Sequence, residues 1–333
     1  MKTNEIEMTN EMLLNQLKDC ELLFKRTEGD NNKWVSTRRY GIGGSEIGTI
    51  CGVNPYACLM DLYLYKVYGT RQEFTEEAKE RMRWGTILED VIAMEFERKN
   101  NAKCYKIDML KNKNYNFLLA NVDRLITENG EVTAILECKT AGASSKDDWI
   151  NGIIPVSYVY QVQWYMYITG IHKSYIAGLI GGQVYTQKEI IYDSNLIENI
   201  LLPKAWDFWH KNVLAKEEPE IDGSQAAVNF IKNKYPTPTS KEICSLDTDY
   251  EEMIIKLKEL KEKKAEIEEE INLYENKIKL AMDGGSKAET NNFYINWGLR
   301  KTTRVDTDRL KKDFLYDEYS KQSEFRVFII KEK

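Results

Sequence analysis

The sequence predicts an α/β (α+β) chain: a mixed sheet with helices on both sides, then a long C-terminal helix and a small β-containing tail. Three observations carry this. The stretch 118–140, LLANVDRLITENGEVTAILECKT, holds two short apolar-rich segments around a turn and reads as a hairpin. Around it the order is helices, hairpin, helix, strands, helix, which builds a sheet with helices on either side. Residues from 250 to 281 repeat apolar side chains at steps of three and four, the seam of a long coiled-coil helix. The predicted organisation is a domain over 1–218, a connecting segment over 219–246, and the heptad helix with its tail over 247–333.

In the hairpin, alternation places Glu137 and Lys139 on one face and Leu136 and Cys138 on the other. Whether Asp123 joins them depends on the turn. A two-residue Asn129-Gly130 loop would pair Asp123 with Leu136 and separate the carboxylates, because a one-residue shift flips every side chain. A three-residue loop, Glu128-Asn129-Gly130, pairs Asp123 with Ile135 and collects Asp123, Glu137 and Lys139 on one face. The second register is expected, since it leaves Val122, Ile126, Leu136 and Cys138 as an apolar face.

With 333 residues the chain has room for a substantial core. No apolar run reaches membrane-spanning length and the start MKTNEIEMTNEMLLNQ lacks a signal-peptide core, so a cytoplasmic protein without membrane association is expected. Six cysteines scattered without a C-x-x-C spacing, and only two histidines, speak against zinc or iron–sulfur sites. A formal charge of -6 excludes a broad cationic coat but not a local basic groove, and carboxylates gathered for metal ions add to the negative count.

Residues 4–25 read as an amphipathic helix through Met12, Leu13, Leu17, Leu22 and Leu23. Then comes the basic, glycine-rich turn from Trp34 and Val35 through Arg38, Arg39, Gly43, Gly44 and Ser45, leading into a helix start. It is either a phosphate pocket, using helix N–H groups and the arginines, or a simple N-cap at Ser45. Helices are expected over 59–68 and 76–100; on the second, Glu89 shares a stripe with Ile92, Ala93 and Phe96. A carboxylate there needs a metal or an arginine such as Arg83 or Arg98. Next come a loop and short helix over 144–151, and a buried aromatic helix over 156–169 that stacks Gln161 and Tyr165 one turn apart. Strands follow over 174–180 and 184–192 around Gly181-Gly182, then a helix over 195–215 and a connector over 221–246. The seam runs through Tyr250, Met253, Leu257, Leu260, Lys264, Ile267, Ile271, Tyr274, Ile278 and Ala281, with a partner in the same chain or another subunit. The tail holds strands near 293–297 and 325–330, a short helix over 307–319, and basic residues at 300–304 that either contact DNA or line a solvated hairpin edge.

Metal-dependent phosphodiester hydrolysis needs hard oxygen ligands, an activated water and a cation near the scissile phosphate. Asp123, Glu137 and the backbone carbonyl of Cys138 suit magnesium, while Lys139 positions or deprotonates the water. The ordered set Arg39…Gly43-Gly44-Ser45-Glu46, Trp84-Gly85…Leu88-Glu89, Asn121-Val122-Asp123, Glu137-Cys138-Lys139 and Gln161-Val162-Gln163…Tyr165 resembles the YqaJ-like phage recombinase family, relatives of λ exonuclease among the PD-(D/E)XK nucleases. The resemblance covers about 34–213, and the closing Trp297, Arg304-Val305-Asp306 and Arg326-Val327-Phe328 look like the tail of phage-encoded members.

The resemblance implies that Glu89, Asp123 and Glu137 are metal carboxylates and Lys139 the catalytic lysine. It implies that Gln161, Gln163 and Tyr165 lie near the nucleic acid, and that Arg39 and Ser45, with Asn121, hold a terminal 5′-phosphate. It also implies a cofactor of two Mg2+ ions, with Mn2+ as a substitute. The implied activity is 5′-to-3′ digestion of linear double-stranded DNA to leave 3′ single-stranded tails, by a trimeric ring partnered with a RecT/β-like single-strand annealing protein. Two departures stand out: Arg124 where the family commonly has glycine, and Asn121 where λ exonuclease has a phosphate-binding serine. A Cas4- or AddB-like nuclease would need a four-cysteine cluster. Two competing readings lie outside the nucleases: an inactive DNA-binding or inhibitory protein that keeps the fold, and a coiled-coil assembly protein with a scaffold front domain.

Overall fold

The computed structural model describes residues 8–24, 36–70, 75–238, 240, 242–321 and 327–330. Trp34, Val35 and Arg326 of the motifs above, and parts of the first helix and last strand predicted, lie outside the described residues. Contacts group the chain into two compact units, Met1–Lys234 and Tyr235–Lys333. In chain order the first unit has α1 (Asn10–Leu14), β1 (Cys20–Phe24), α2 (Gly44–Ile50), α3 (Leu59–Tyr68), α4 (Glu76–Asn100), β2 (Lys103–Tyr105), β3 (Met109–Asn112) and β4 (Leu119–Ala120). It continues with β5 (Arg124–Glu128), β6 (Glu131–Ala141), α5 (Lys146–Ile150), α6 (Val156–Thr169), β7 (Lys173–Ile180) and β8 (Val184–Ile191). Helix α7, over 194–214 with π-helical turns at Ile197–Leu201 and Phe208–Leu214, and α8 (Gln225–Lys234) complete it.

The central sheet has the order β2-β5-β6-β7-β8, with β6 and β7 parallel and the other pairs antiparallel, so it is the mixed sheet expected. Parallel neighbours need a crossover, and α6 supplies it. On one face α4 buries Ile92, Ala93 and Phe96 against Ile126, Ala134, Leu136 and Ala177. On the other, α6 is sandwiched among Leu125, Ile135, α2 and α7, which explains a helix apolar nearly all round. Gly44 makes the α2–α6 approach possible: a Cβ there would sit 2.4 Å from Tyr165 Cε1.

The hairpin turn differs from the expected one. Glu128 pairs with Glu131 across a two-residue Asn129-Gly130 turn whose φ values, 53° and 84°, are both left-handed, the type I′ geometry favoured by Asn-Gly. The register then slips between Ile126 and Thr127, leaving Thr133 as the extra residue of a β-bulge. Arg124 therefore pairs with Leu136, and continuing that register puts Asp123 opposite Glu137. The two carboxylates share a face as expected, but a bulge rather than a longer loop puts them there. The expected division into an apolar and a chemical face also fails. Both faces are buried, and Val122 packs with Leu125 and Ile135 rather than with Ile126 and Leu136.

The helix predicted over 4–25 stops at Leu14, and Cys20–Phe24 is instead a strand paired with β3 in a small sheet of order β1-β3-β4. Leu119 and Ala120 belong to that small sheet while Arg124 starts the central one, so Asn121-Val122-Asp123 is the link between two sheets. Part of the connector is helical: α8 packs Ala226, Ala227 and Phe230 against Cys58.

The second unit holds α9 (Asp249–Ala281), β9 (Lys287–Glu289) paired antiparallel with β10 (Tyr294–Asn296), α10 (Thr307–Lys312) and α11 (Tyr316–Tyr319). Helix α9 is followed by two residues in the left-handed region, Asp283 and Gly284 with φ of 45° and 80°, which turn the chain out of the helix. None of its residues is buried. No helix among the described residues is long and apolar enough to cross a membrane.

Candidate active site

At the middle of β6 the core turns polar. Lys139 Nζ lies 2.7 Å from Glu137 Oε1 and 3.1 Å from Gln161 Oε1, and Gln161 Nε2 donates to Glu137 Oε1 at 2.6 Å and to the Tyr165 hydroxyl at 3.1 Å. Helix α6 thus orients the strand's acid–lysine pair through one glutamine, which exposes neither end of its amide to apolar surroundings. Asp123 Oδ2 accepts the Cys138 N–H at 2.7 Å, so the loop carboxylate takes the place of a ladder partner and is fixed against β6. Lys139 also lies over the Tyr158 ring, 4.5 Å from its centroid. Tyr158 was not singled out from the sequence, although it precedes Gln161 by three residues on the same helix.

The electrostatics are those of crowded negative charge. Burial, then the neighbouring Glu137 and Glu89, push the Asp123 carboxyl well above its ordinary value. Burial also raises Glu137, against the pull of Lys139. Burial works against the Lys139 ammonium too, but Glu137 and Asp123 outweigh it and the lysine is held above its ordinary value. Glu137 Oε2 is buried with no hydrogen-bond partner. Unpartnered hard oxygen beside a second carboxylate is the donor chemistry that suits a divalent cation such as magnesium.

Glu89 borders this cluster, close enough to raise the Asp123 and Glu137 carboxyls, but its own hydrogen bond goes elsewhere. It pairs with the Arg124 guanidinium, which also engages Asp90 and the Asp123 carbonyl. The arginine partner is therefore Arg124 of β5, not Arg83 or Arg98, and Arg83 instead stacks over Trp84. Among the described residues no group of three His, Cys, Asp or Glu side chains is arranged to hold a metal ion. Glu89 and Asp123 nevertheless line one cleft with Asn121, Lys106 and Asp108. The Cys138 side chain faces the α4 side of the sheet, and its observed backbone contact here is through the N–H, not the carbonyl.

A second cleft, of about 150 Å³, joins Asp123, Gln161 and Tyr165 to Asn121, Gly43, Gly44, Ser45 and Arg38. Arg38 Nη2 donates to Ser45 Oγ at 2.6 Å. Arg39, the arginine expected here, points elsewhere: its Nε donates to the Lys66 carbonyl at 2.9 Å and its Nη2 to that of Val67, capping the end of α3. Gln163 is likewise absent from the site, bonding the Ile191 carbonyl at 2.7 Å and the Asp193 N–H at 2.9 Å beside the end of β8. Two residues apart on a helix, Gln161 and Gln163 cannot share a face.

The α2 N-terminus is not open to an anion in the way the glycine turn implied. Glu46 Oε2 accepts the Gly43 N–H at 2.9 Å and the Lys66 ammonium at 2.7 Å, inside the core. Lys66 also donates to the carbonyls of Arg38, at 2.7 Å, and Gly41, and so fixes the turn that delivers Arg38 to Ser45. Burial would raise the Glu46 carboxyl, but Lys66 and Arg38 outweigh it and hold it below its ordinary value. Lys66 sits in the aromatic run YLYKVY, where only an acidic partner would let a lysine be buried.

With this geometry in hand, the relatives are informative. The profile of the YqaJ-like viral recombinase domain matches residues 33–172, which contain every site residue above. Protein YqaJ of Bacillus subtilis (strain 168) is 36% identical over 320 residues, 95% of this chain and 98% of that one. Among solved structures, the alkaline exonuclease LHK-Exo of Laribacter hongkongensis has 15% identity and a TM-score of 0.45, covering 62% of this chain and 98% of its own. A phage related exonuclease from Haemophilus somnus 129PT has 12% identity and a TM-score of 0.42, covering 53% and 96%. By its identity to YqaJ over nearly the full length of both, the chain belongs to the YqaJ-like viral recombinase family.

Proposed function

We infer that the protein is a magnesium-dependent exonuclease that digests the 5′ strand of linear double-stranded DNA and leaves 3′ single-stranded tails for an annealing protein. The observation that carries this is the convergence of Asp123, Glu137, Lys139 and Gln161 beside a cleft bearing Arg38 and Ser45. Asp123 and Glu137 would hold the divalent cation, with Glu89 joining only on release from Arg124. When bound, the cation supplies Lewis-acid activation of a water and of the scissile phosphate.

The chain's own residues do the rest. Lys139, beside Glu137 and over the Tyr158 ring, neutralises charge building on the phosphate and positions the attacking water. Gln161 holds Lys139 and Glu137 in one geometry. Arg38 and Ser45 offer a cation and a hydroxyl to a terminal phosphate.

A second reading, an inactive DNA-binding or inhibitory protein, draws on the Arg124–Glu89 pair, which withholds one carboxylate. The experiment is mononucleotide release from 5′-phosphorylated linear duplex with magnesium, comparing the wild type with Lys139→Ala and Asp123→Ala. Release by the wild type alone supports the nuclease; equal inactivity of all three, with DNA still bound, supports the second reading.

A further inference from the structure

Helix α9 is 33 residues long and carries an apolar seam that the described residues of its own unit leave open: every residue from 259 to 278 is exposed, including Leu260, Ile267, Ile271 and Ile278. Its charges are not evenly spread. Across the N-terminal half acids and bases balance, but at the positions flanking the seam Lys256, Lys261 and Lys263 lie in the N-terminal half and Glu268, Glu270 and Glu275 in the C-terminal half, with Asp249 and Lys277 of opposite sign at the two ends. Positions flanking a coiled-coil seam select the partner and its direction.

Taking Tyr250, Leu257, Lys264, Ile271 and Ile278 as the a positions puts Met253, Leu260, Ile267, Tyr274 and Ala281 at d. A parallel copy in register would then place Lys264 against Lys264 in the seam, like charge facing like charge, with each ammonium reaching its own Glu268 at 3.6 Å. At its flanks Lys256 would meet Lys261 and Glu270 would meet Glu275, with only Lys263 against Glu268 favourable. An antiparallel copy in full overlap reverses this. It packs Lys264 on Ile267 and Leu260 on Ile271, and sets Lys261 beside Glu268 and Lys263 beside Glu270, each twice by symmetry. Its one like-charged contact, Lys256 with Lys277, is softened because Lys256 already pairs with Glu259 at 3.0 Å. Sliding the antiparallel copy by one heptad toward the C-termini sets Lys263 beside Lys277 and Glu270 beside Glu270. A slide toward the N-termini keeps Lys256 beside Glu270 and Asp249 beside Lys277 but leaves Ile278 and Ala281 uncovered, so full overlap is the register that covers the whole seam.

We propose that α9 is a self-association helix whose occupant is α9 of a second copy, running antiparallel and in full overlap, so that the seam-flanking lysines of each N-terminal half meet the seam-flanking glutamates of the other's C-terminal half. The contact is a closed two-fold one and joins chains in pairs.

The test uses the full-length chain in sedimentation equilibrium, with Lys261→Glu/Lys263→Glu and the four-fold exchange Lys261→Glu/Lys263→Glu/Glu268→Lys/Glu270→Lys. The double variant should weaken self-association at least tenfold with unchanged helix content by circular dichroism, and the four-fold exchange should restore it. Direction is read by spin-label distance at Glu252→Cys in a Cys244→Ser background. At a rise of about 1.5 Å per residue, antiparallel overlap separates the two labels by about 40 Å, whereas a parallel pair holds them within about 20 Å. A wild type that stays monomeric or pairs only with a different protein overturns the proposal. So does self-association indifferent to the charge exchange, or the short distance.

Discussion

Two buried glutamates in this molecule make the same short contact to a lysine and come to opposite electrostatic ends. Glu46 and Glu137 each lie 2.7 Å from an ammonium, Lys66 and Lys139, and each has one carboxylate oxygen without a partner. Around Glu46 the remaining neighbours are Arg38 and the Gly43 N–H, and its carboxyl is held below the ordinary range. Around Glu137 the neighbours include Glu89, and Asp123 feels Glu137 in turn, so both carboxyls are driven up. The first pair has its counter-charge built in and serves the fold. The second has an excess of carboxylate, which a proton or a cation from outside would stabilise.

The comparison breaks most visibly at the two lysines. Lys139→Ala should lower nuclease turnover by about 10²–10⁴-fold, the range for losing a positioned catalytic group, with the fold retained. Lys66→Ala should cost about 3–5 kcal/mol of stability, because it strands Glu46 in the core, and denaturant unfolding will show it. Next come the adjacent arginines. Arg38→Ala should reduce the preference for 5′-phosphorylated over 5′-hydroxyl ends by about ten- to a hundredfold, the worth of a charge-assisted hydrogen bond. Arg39→Ala should leave that preference intact and cost about 1–3 kcal/mol, since its bonds cap α3.

The pairs should also titrate with opposite sign. The folded Glu46 carboxyl lies below its ordinary 4.5, so its contribution is present above that pH and is lost as pH falls through the folded value. Asp123 and Glu137 lie above their ordinary 3.8 and 4.5, so the folded chain binds their protons more tightly than the unfolded chain. Their contribution is full below those ordinary values and is lost as pH rises through the folded ones. In metal-free buffer at neutral pH, Asp123→Asn should therefore melt a few degrees above the wild type, about 2–4 °C, and the gap should close on acidification.

The sequence made the long elements legible. Helices α4 and α6 were expected at their observed bounds, because 25 amphipathic residues and a 14-residue aromatic run leave little freedom. Strand alternation put Glu137 and Lys139 on one face and helical spacing stacked Gln161 on Tyr165, while the roles of these residues and of Asp123 rested on the family resemblance. Short elements were not. The five residues of β1 continue the apolar pattern of the preceding helix, and only pairing with β3 makes them a strand. Choices between neighbours were also hidden. Arg38 and Arg39 are identical in type, and the α3 carbonyls decide which of them faces the cleft. The Thr133 bulge leaves no mark in composition, yet it compensates the short Asn129-Gly130 turn and keeps Asp123 and Glu137 together. The partner of Glu89 was hidden too: it is Arg124, from the neighbouring strand, and not Arg83 or Arg98 of its own helix.

The most direct measurement of the central claim is the melting temperature of metal-free protein titrated with magnesium at neutral pH, wild type beside Asp123→Asn. The wild type should rise saturably with magnesium, because a cation relieves the Asp123–Glu137 repulsion, and Asp123→Asn should start higher and respond little. A wild type indifferent to magnesium, or a variant that rises as much, would contradict the assignment of these carboxylates as a cation site.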